Sequence, residues 1–305
     1  MQFLYLLEGV RTPFLDTVMS FFTLFGEETV FIVLAMILFW CVDKYEGYYM
    51  LTIGFLGTQL NNFLKVNFRI DRPWVRDPNF RPVESAIEGA GGYSFPSGHT
   101  QSSVGAFGAV ARWEKNKIVR ALCIALCVIV PFSRMYLGVH TPADVLTSVA
   151  IALVMIFGLY PLFCRVANTP NGMRILMAIL LVWSVFQLLF MELYSFPADC
   201  DAERIMSGVK NTYKMLGAIA GLWVVFELDL RFIRFETKAI WWVQILKVAL
   251  GLGLSLAIKE LGYAIFGAFV PEPADRAFTY FLMVIFAGAV WPLTFKFFGK
   301  LDKRK

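Results

Sequence analysis

Residues 118–164 read IVRALCIALCVIVPFSRMYLGVHTPADVLTSVAIALVMIFGLYPLFC, and this stretch decides the fold. It holds two apolar runs, roughly 118–137 and 141–164, on either side of a turn that contains Gly138 and His140. A helix needs about 20 apolar residues to cross the hydrocarbon core of a bilayer. In lipid the backbone must satisfy its own hydrogen bonds, which leaves helices or a closed barrel. Neither run alternates strictly between apolar and polar residues, so both are helices. Thr141-Pro142 is a helix-start signal for the second.

The same pattern extends outward over most of the 305 residues. About nine spans are expected, at roughly 27–43, 45–68, 98–113, 118–137, 141–164, 174–195, 211–228, 240–262 and 276–298. The chain is therefore an all-α, polytopic helical membrane protein. Its composition agrees: 58% of residues are hydrophobic, 17% are charged and the mean hydropathy is +0.63, against about 25% charged in soluble domains. The net charge of +5 does not indicate nucleic acid, because the basic residues cluster at span ends. The five cysteines show neither disulfide-framework nor metal-ligand spacing and read as free thiols. No cofactor or metal is expected.

Residues 1–26 lack a basic leader and a small-residue cleavage site. They are expected to form an amphipathic helix at the membrane interface, with Thr12 as cap and Pro13 in the first turn. Trp74, Trp241 and Trp242 read as interface anchors. Lys44, Arg112, Lys115, Lys117, Arg120, Arg165, Arg174, Arg231, Arg234, Lys238, Lys296, Lys300, Lys303, Arg304 and Lys305 gather on one side, which should be cytoplasmic. The opposite side receives the N-terminus, the 69–97 loop, the 137–141 turn, the acidic 199–203 loop and the 269–275 turn. The location expected is a bacterial plasma membrane, with the site facing the exterior or periplasm and the C-terminus inside.

The long 69–97 loop breaks the charge rule, because it carries four arginines on the outer side. Lys65, Arg72 and Arg134 are expected at one outer level, where they repel one another unless an anion lies between them. Arginine grips a phosphate in a bidentate fork. Pro96-Ser97-Gly98-His99 opens a span, and the free N–H groups of a helix start favour an anion. Ser97 as a plain N-cap accounts for the serine but not for the histidine. His140 and Asp144 lie one helical turn apart. A carboxylate there can hold one imidazole nitrogen and leave the other to attack. The chain has only two histidines, and both lie on this face.

Lys65-x6-Arg72-Pro73, Pro96-Ser97-Gly98-His99 and Ser133-Arg134-x5-His140-x3-Asp144, in this order, resemble the three signature motifs of the type 2 phosphatidic acid phosphatase superfamily. That superfamily includes the glucose-6-phosphatases and vanadium haloperoxidases. The resemblance implies a phosphatase core over residues 27–164, with residues 165–305 as additional transmembrane helices that carry no recognised motif. It implies that His140 is the nucleophile and forms a phosphohistidine, that Asp144 orients it, and that His99 protonates the leaving oxygen and then activates water. Lys65, Arg72, Ser97, Gly98 and Arg134 would hold the phosphate. Nine spans with an exterior N-terminus is similar to the glucose-6-phosphatase arrangement.

The substrate expected is a lipid phosphate, such as phosphatidate or a polyprenyl diphosphate, in contact with membrane lipids. A sugar phosphate, transfer of the phosphoryl group to an acceptor other than water, and a non-enzymatic lipid binder or transporter are the alternatives. Glu192 and Lys259 are expected to pair and shape a substrate entrance, with a purely structural ion pair as the plainer alternative. Gly251-Leu-Gly253 suggests close helix packing, with a homodimer as one outcome.

Overall fold

The computed structural model describes residues 1–302, with side chains described through Phe298. All regular elements among the described residues are helical. They are α1 Gln2–Glu8, α2 Pro13–Thr23, α3 Glu28–Ile37, α4 Lys44–Phe68, α5 Gly98–Trp113, α6 Lys117–Tyr136, α7 Pro142–Ala167, α8 Pro170–Leu193, α9 Ala202–Leu228, α10 Trp241–Phe266 and α11 Asp275–Phe298. A helix stands at each of the nine expected positions, but the count of nine spans is not carried through. Five helices, α6, α7, α8, α10 and α11, are long and apolar enough to cross a membrane. A bent pair, Pro13–Gly26 with Glu28–Val42 at 50°, would make a sixth. Polarity and length explain the shortfall. α4 carries Gln59, Asn61, Asn62 and Lys65, α9 carries Glu203, Arg204, Lys210, Lys214 and Glu227, and α5 has only 16 residues.

The chain divides into two compact units. The first comprises Met1–Leu34, Met50–Pro161 and Phe196–Gly208; the second comprises Ala35–Tyr49, Leu162–Ser195 and Val209–Lys305. In the first, α5 packs against α6 and α7. Small residues on α5 permit this: a Cβ on Gly108 would stand 2.6 Å from Ile156 Cδ1. Without a hydrophobic drive between helices in lipid, close van der Waals packing of this kind is one source of helix association. Val104, Ala152 and Ile156 form one apolar cluster, and Phe107, Ala111 and Cys123 form another.

Residues 1–26 form two helices and a short 3-10 turn. Thr12 caps α2 by accepting from Leu15 N, with Pro13 in the first turn. α2 packs on α6, and Leu15 and Met19 lie against the cluster of Ala86, Ala90, Tyr136, Leu137 and Val139. Its other face leaves Phe14 and Phe21 exposed. Trp74 packs on that same cluster, and Trp241 is 75% exposed.

In the second unit α10 packs on α11. Gly251 makes room for Trp40 and Trp291 of the same chain, while a Cβ on Gly253 would meet nothing within 4 Å. The small-residue run is thus used at Gly251 for internal packing. All five cysteines are free thiols. Of the expected cytoplasmic cations, Lys303, Arg304, Lys305 and the side chain of Lys300 lie outside the described residues.

Candidate active site

His140 sits on a turn that the sequence makes rigid. Gly138 has φ +79, a left-handed conformation that costs an ordinary residue about 1–2 kcal/mol. A Cβ there would also stand 2.8 Å from the Phe80 ring. Leu137 O accepts from Val83 N at 3.0 Å, and Tyr136 O from Arg11 Nε at 3.1 Å. Tyr136, Leu137 and Val139 are buried in the loop cluster. α7 then starts with a capping box: Thr141 Oγ1 accepts from Asp144 N at 3.4 Å, and Asp144 Oδ2 accepts from Thr141 N at 2.7 Å.

The Asp144 carboxylate is therefore fixed by its own helix start. Its Oδ2 lies 3.6 Å from His140 Nδ1, longer than a hydrogen bond. Ser94 stands beside both, donating from Oγ to Asp144 Oδ2 at 2.7 Å and lying 3.5 Å from His140 Nδ1. All three side chains are buried.

Arg72 occupies the other edge of the ring. Its Nη1 lies 2.9 Å from His140 Nε2 and donates to Val139 O at 2.9 Å. Nη2 donates to Gly91 O at 2.8 Å and Nε to Gly92 O at 3.3 Å. A guanidinium has only donors, so Nε2 must be the acceptor and the neutral ring carries its proton on Nδ1. Burial, with Arg72, Arg134, Lys65 and His99 nearby, holds His140 well below its usual 6.5. Burial and the neighbouring Arg134 pull Arg72 down to about 9, so it still carries its charge at neutral pH.

Arg134 is buried and donates from Nη1 to Thr23 Oγ1 at 2.7 Å. Its Nε and Nη2 are buried without a partner among the described residues. Lys65 Nζ donates to Tyr93 O at 2.5 Å, beside the carbonyls that hold Arg72. Ser97 caps α5, accepting from Thr100 N at 3.4 Å, and its own N–H donates to Asp144 O at 3.2 Å. Gly98 follows as the first residue of α5. His99 Nε2 lies 3.0 Å from Glu27 Oε1.

The first unit thus gathers Lys65, Arg72, Ser97, Gly98, His99, Arg134, His140 and Asp144. Segments distant in sequence also meet there: Val83 binds Leu137, Ser94 binds Asp144, and Arg204 at the start of α9 binds Asp71 at 2.6 Å. Sequence reasoning missed Ser94, Thr23 and Glu27. Ser94 lies two residues before the Pro96-Ser97-Gly98-His99 motif, and Glu27 at the expected outer end of the first span. Glu192 and Lys259 belong to the second unit, and the expected pair between them does not form. Glu192 Oε1 accepts from Tyr213 at 3.0 Å, and Lys259 pairs with the adjacent Glu260 at 3.1 Å. Each acquired a nearer partner on a neighbouring helix or residue. Among the described residues no three His, Cys, Asp or Glu side chains gather as metal ligands.

Several curated proteins are similar to part of this chain. Phosphatidylglycerophosphatase B of Bacillus subtilis is 27% identical over 161 residues, 48% of this chain and 75% of the relative. Lipid A 4'-phosphatase of Porphyromonas gingivalis is 26% identical over 160 residues, 49% of this chain and 66% of the relative. Undecaprenyl-diphosphatase BcrC of Bacillus subtilis is 29% identical over 146 residues, 47% of this chain and 72% of the relative. No solved structure matches the chain significantly. The profile of the PAP2 superfamily matches residues 46–167, and that of the "PAP2 superfamily phosphatase, transmembrane extension" matches residues 213–304. The second match covers a region in which the sequence alone showed no motif. The chain is an integral membrane protein that belongs to the PAP2 superfamily of phosphatases.

Proposed function

We propose that this protein hydrolyses a lipid phosphate or diphosphate through a phosphohistidine on His140. The observation that carries this reading is the buried guanidinium of Arg72 at 2.9 Å from His140 Nε2, with Ser94 and Asp144 on the Nδ1 side. The nucleophilic lone pair is thereby aimed where a cation waits for an anion. A phosphoryl group in that position takes oxygens to Arg72, Lys65, the N–H groups at the start of α5, and the two unpartnered donors of Arg134. Fixed donors of this kind supply most of the stabilisation in phosphoryl transfer.

His140 Nε2 attacks phosphorus as the bond to the leaving oxygen breaks, and His99 gives that oxygen a proton. Asp144, linked through Ser94, supports the positive charge that grows on His140. Water then attacks the phosphohistidine with His99 as base, and inorganic phosphate leaves. The site faces the non-cytoplasmic side of a bacterial plasma membrane in this reading, which rests on the lysine and arginine distribution. The lipid substrate class is supported by the relatives named above. The sugar-phosphate alternative drew on nine spans and loses that support. The test is phosphate release from a panel of lipid and soluble phosphates by the purified chain, with His140→Ala as control. Activity on phosphatidate-like or polyprenyl substrates that the substitution abolishes is expected. No activity on any substrate, or full activity in the variant, overturns the proposal. Phosphate appearing on an added alcohol in place of water would establish transfer instead of hydrolysis.

A further inference from the structure

We infer that Glu27 is the positioning residue of His99, holding the Nε2 edge of the ring so that Nδ1 delivers the proton to the leaving oxygen. This rests on the phosphatase reading above. Glu27 Oε1 lies 3.0 Å from His99 Nε2. The contact is built, not incidental. The preceding residue, Gly26, brings the backbone against His99: a Cβ there would stand 2.8 Å from His99 Cβ and 2.9 Å from His99 O. One turn earlier, Thr23 Oγ1 accepts from Arg134 Nη1 at 2.7 Å. A single short segment at the 50° bend therefore touches both the acid histidine and a phosphate-binding arginine.

The segment lies outside the residues that the superfamily profile matches, which begin at 46. It gives His99 a carboxylate partner, as Asp144 and Ser94 serve His140. A carboxylate on Nε2–H stabilises the imidazolium and fixes the ring. In the first step the P–O bond breaks and its electron pair goes to the leaving oxygen. The Nδ1 proton neutralises that oxygen, and His99 is left neutral with Nε2–H on Glu27. In the second step Nδ1 takes a proton from the attacking water, and the imidazolium is restored. Glu27 stays ionised throughout.

The test compares the purified wild-type chain with Glu27→Gln, Glu27→Asp, His99→Ala and the double variant Glu27→Gln/His99→Ala, in detergent micelles. The substrates are a long-chain alkyl phosphate, whose leaving oxygen needs a proton, and p-nitrophenyl phosphate, whose leaving oxygen scarcely does. Glu27→Gln should lower kcat about 10- to 100-fold on the alkyl ester, a share of the 10²–10⁴ from a general acid, and less than about 3-fold on the aryl ester. Glu27→Asp should recover part of the loss, and the double variant should be no slower than His99→Ala alone. Equal loss on both substrates, or no loss on either, overturns the inference. Glu27→Asp carries the same comparison if Glu27→Gln fails to fold. If wild type and His140→Ala release phosphate equally, the phosphatase reading falls instead.

Discussion

Arg72 Nη1 and His140 Nε2 lie 2.9 Å apart, and both side chains are buried. Because arginine can only donate, this one contact selects the tautomer of the histidine and points its lone pair at a buried cation. The remaining Arg72 donors are held by the carbonyls of Val139, Gly91 and Gly92, so the direction is set by backbone.

Arg72→Lys should lower kcat/KM by about 10²–10³-fold, the usual cost of removing one fixed donor from a charged transition state. An ammonium cannot span three carbonyls and the imidazole at once. Phosphate release under subsaturating substrate checks this. Activity close to wild type would mean that Arg72 merely staples the loop.

His140 should stay unprotonated at pH 6, where an exposed imidazole is mostly charged. Its folded value lies well below 6.5, so between the two values the unfolded chain binds more protons than the folded one. The neutral site therefore contributes stability that is full above about 6.5 and is lost as pH falls through the folded value. With two histidines in the chain, ¹⁵N-histidine NMR of wild type and His99→Ala assigns the His140 signal directly. A midpoint near 6.5 would contradict the buried, cation-flanked geometry.

Ser94→Ala removes a buried hydroxyl that donates to Asp144 Oδ2 at 2.7 Å. A hydrogen bond to a charged group contributes about 1.5–3 kcal/mol. A lower Tm and, on the proposed mechanism, a reduced kcat with little change in KM are expected, because Ser94 lies on the Nδ1 side of His140, away from Nε2. A purely higher KM would place it in binding instead.

Gly138→Ala should destabilise the chain by at least about 1–2 kcal/mol, since the position needs left-handed backbone. The added methyl also meets the Phe80 ring. Activity should fall along with Tm, because the same turn carries His140. Unchanged thermal unfolding would show that the loop yields easily.

Lys259→Met removes a partly exposed pair with Glu260, a type of contact worth about 0–1 kcal/mol. Little change in Tm is expected. A changed substrate preference would support the entrance role considered for Lys259; an unchanged one would end it.

Much of the site was legible locally. Lys65, Arg72, Ser97, Gly98, His99, Arg134, His140 and Asp144 lie in three short motifs that residue type and spacing single out. The Thr141-Pro142 start was likewise written in adjacent residues. The span count was not, because Asn61, Asn62 and Lys65 in α4 and the charges of α9 have a polarity that apolar runs alone do not resolve. The Glu192–Lys259 pair failed because matching charge is a weak guide when Tyr213 and Glu260 stand nearer.

The sequence by itself determined a helical membrane chain and set two histidines and three cations in three short motifs, since apolar length and motif spacing are local properties. Only the tertiary structure decided which groups serve those histidines. Ser94 and Asp144 reach one edge of His140 and Arg72 the other, 46 and 68 residues away for Ser94 and Arg72. Glu27 reaches His99 across 72 residues. Such contacts depend on a positive-φ turn at Gly138 and a bare backbone at Gly26, where chain segments approach too closely for any side chain.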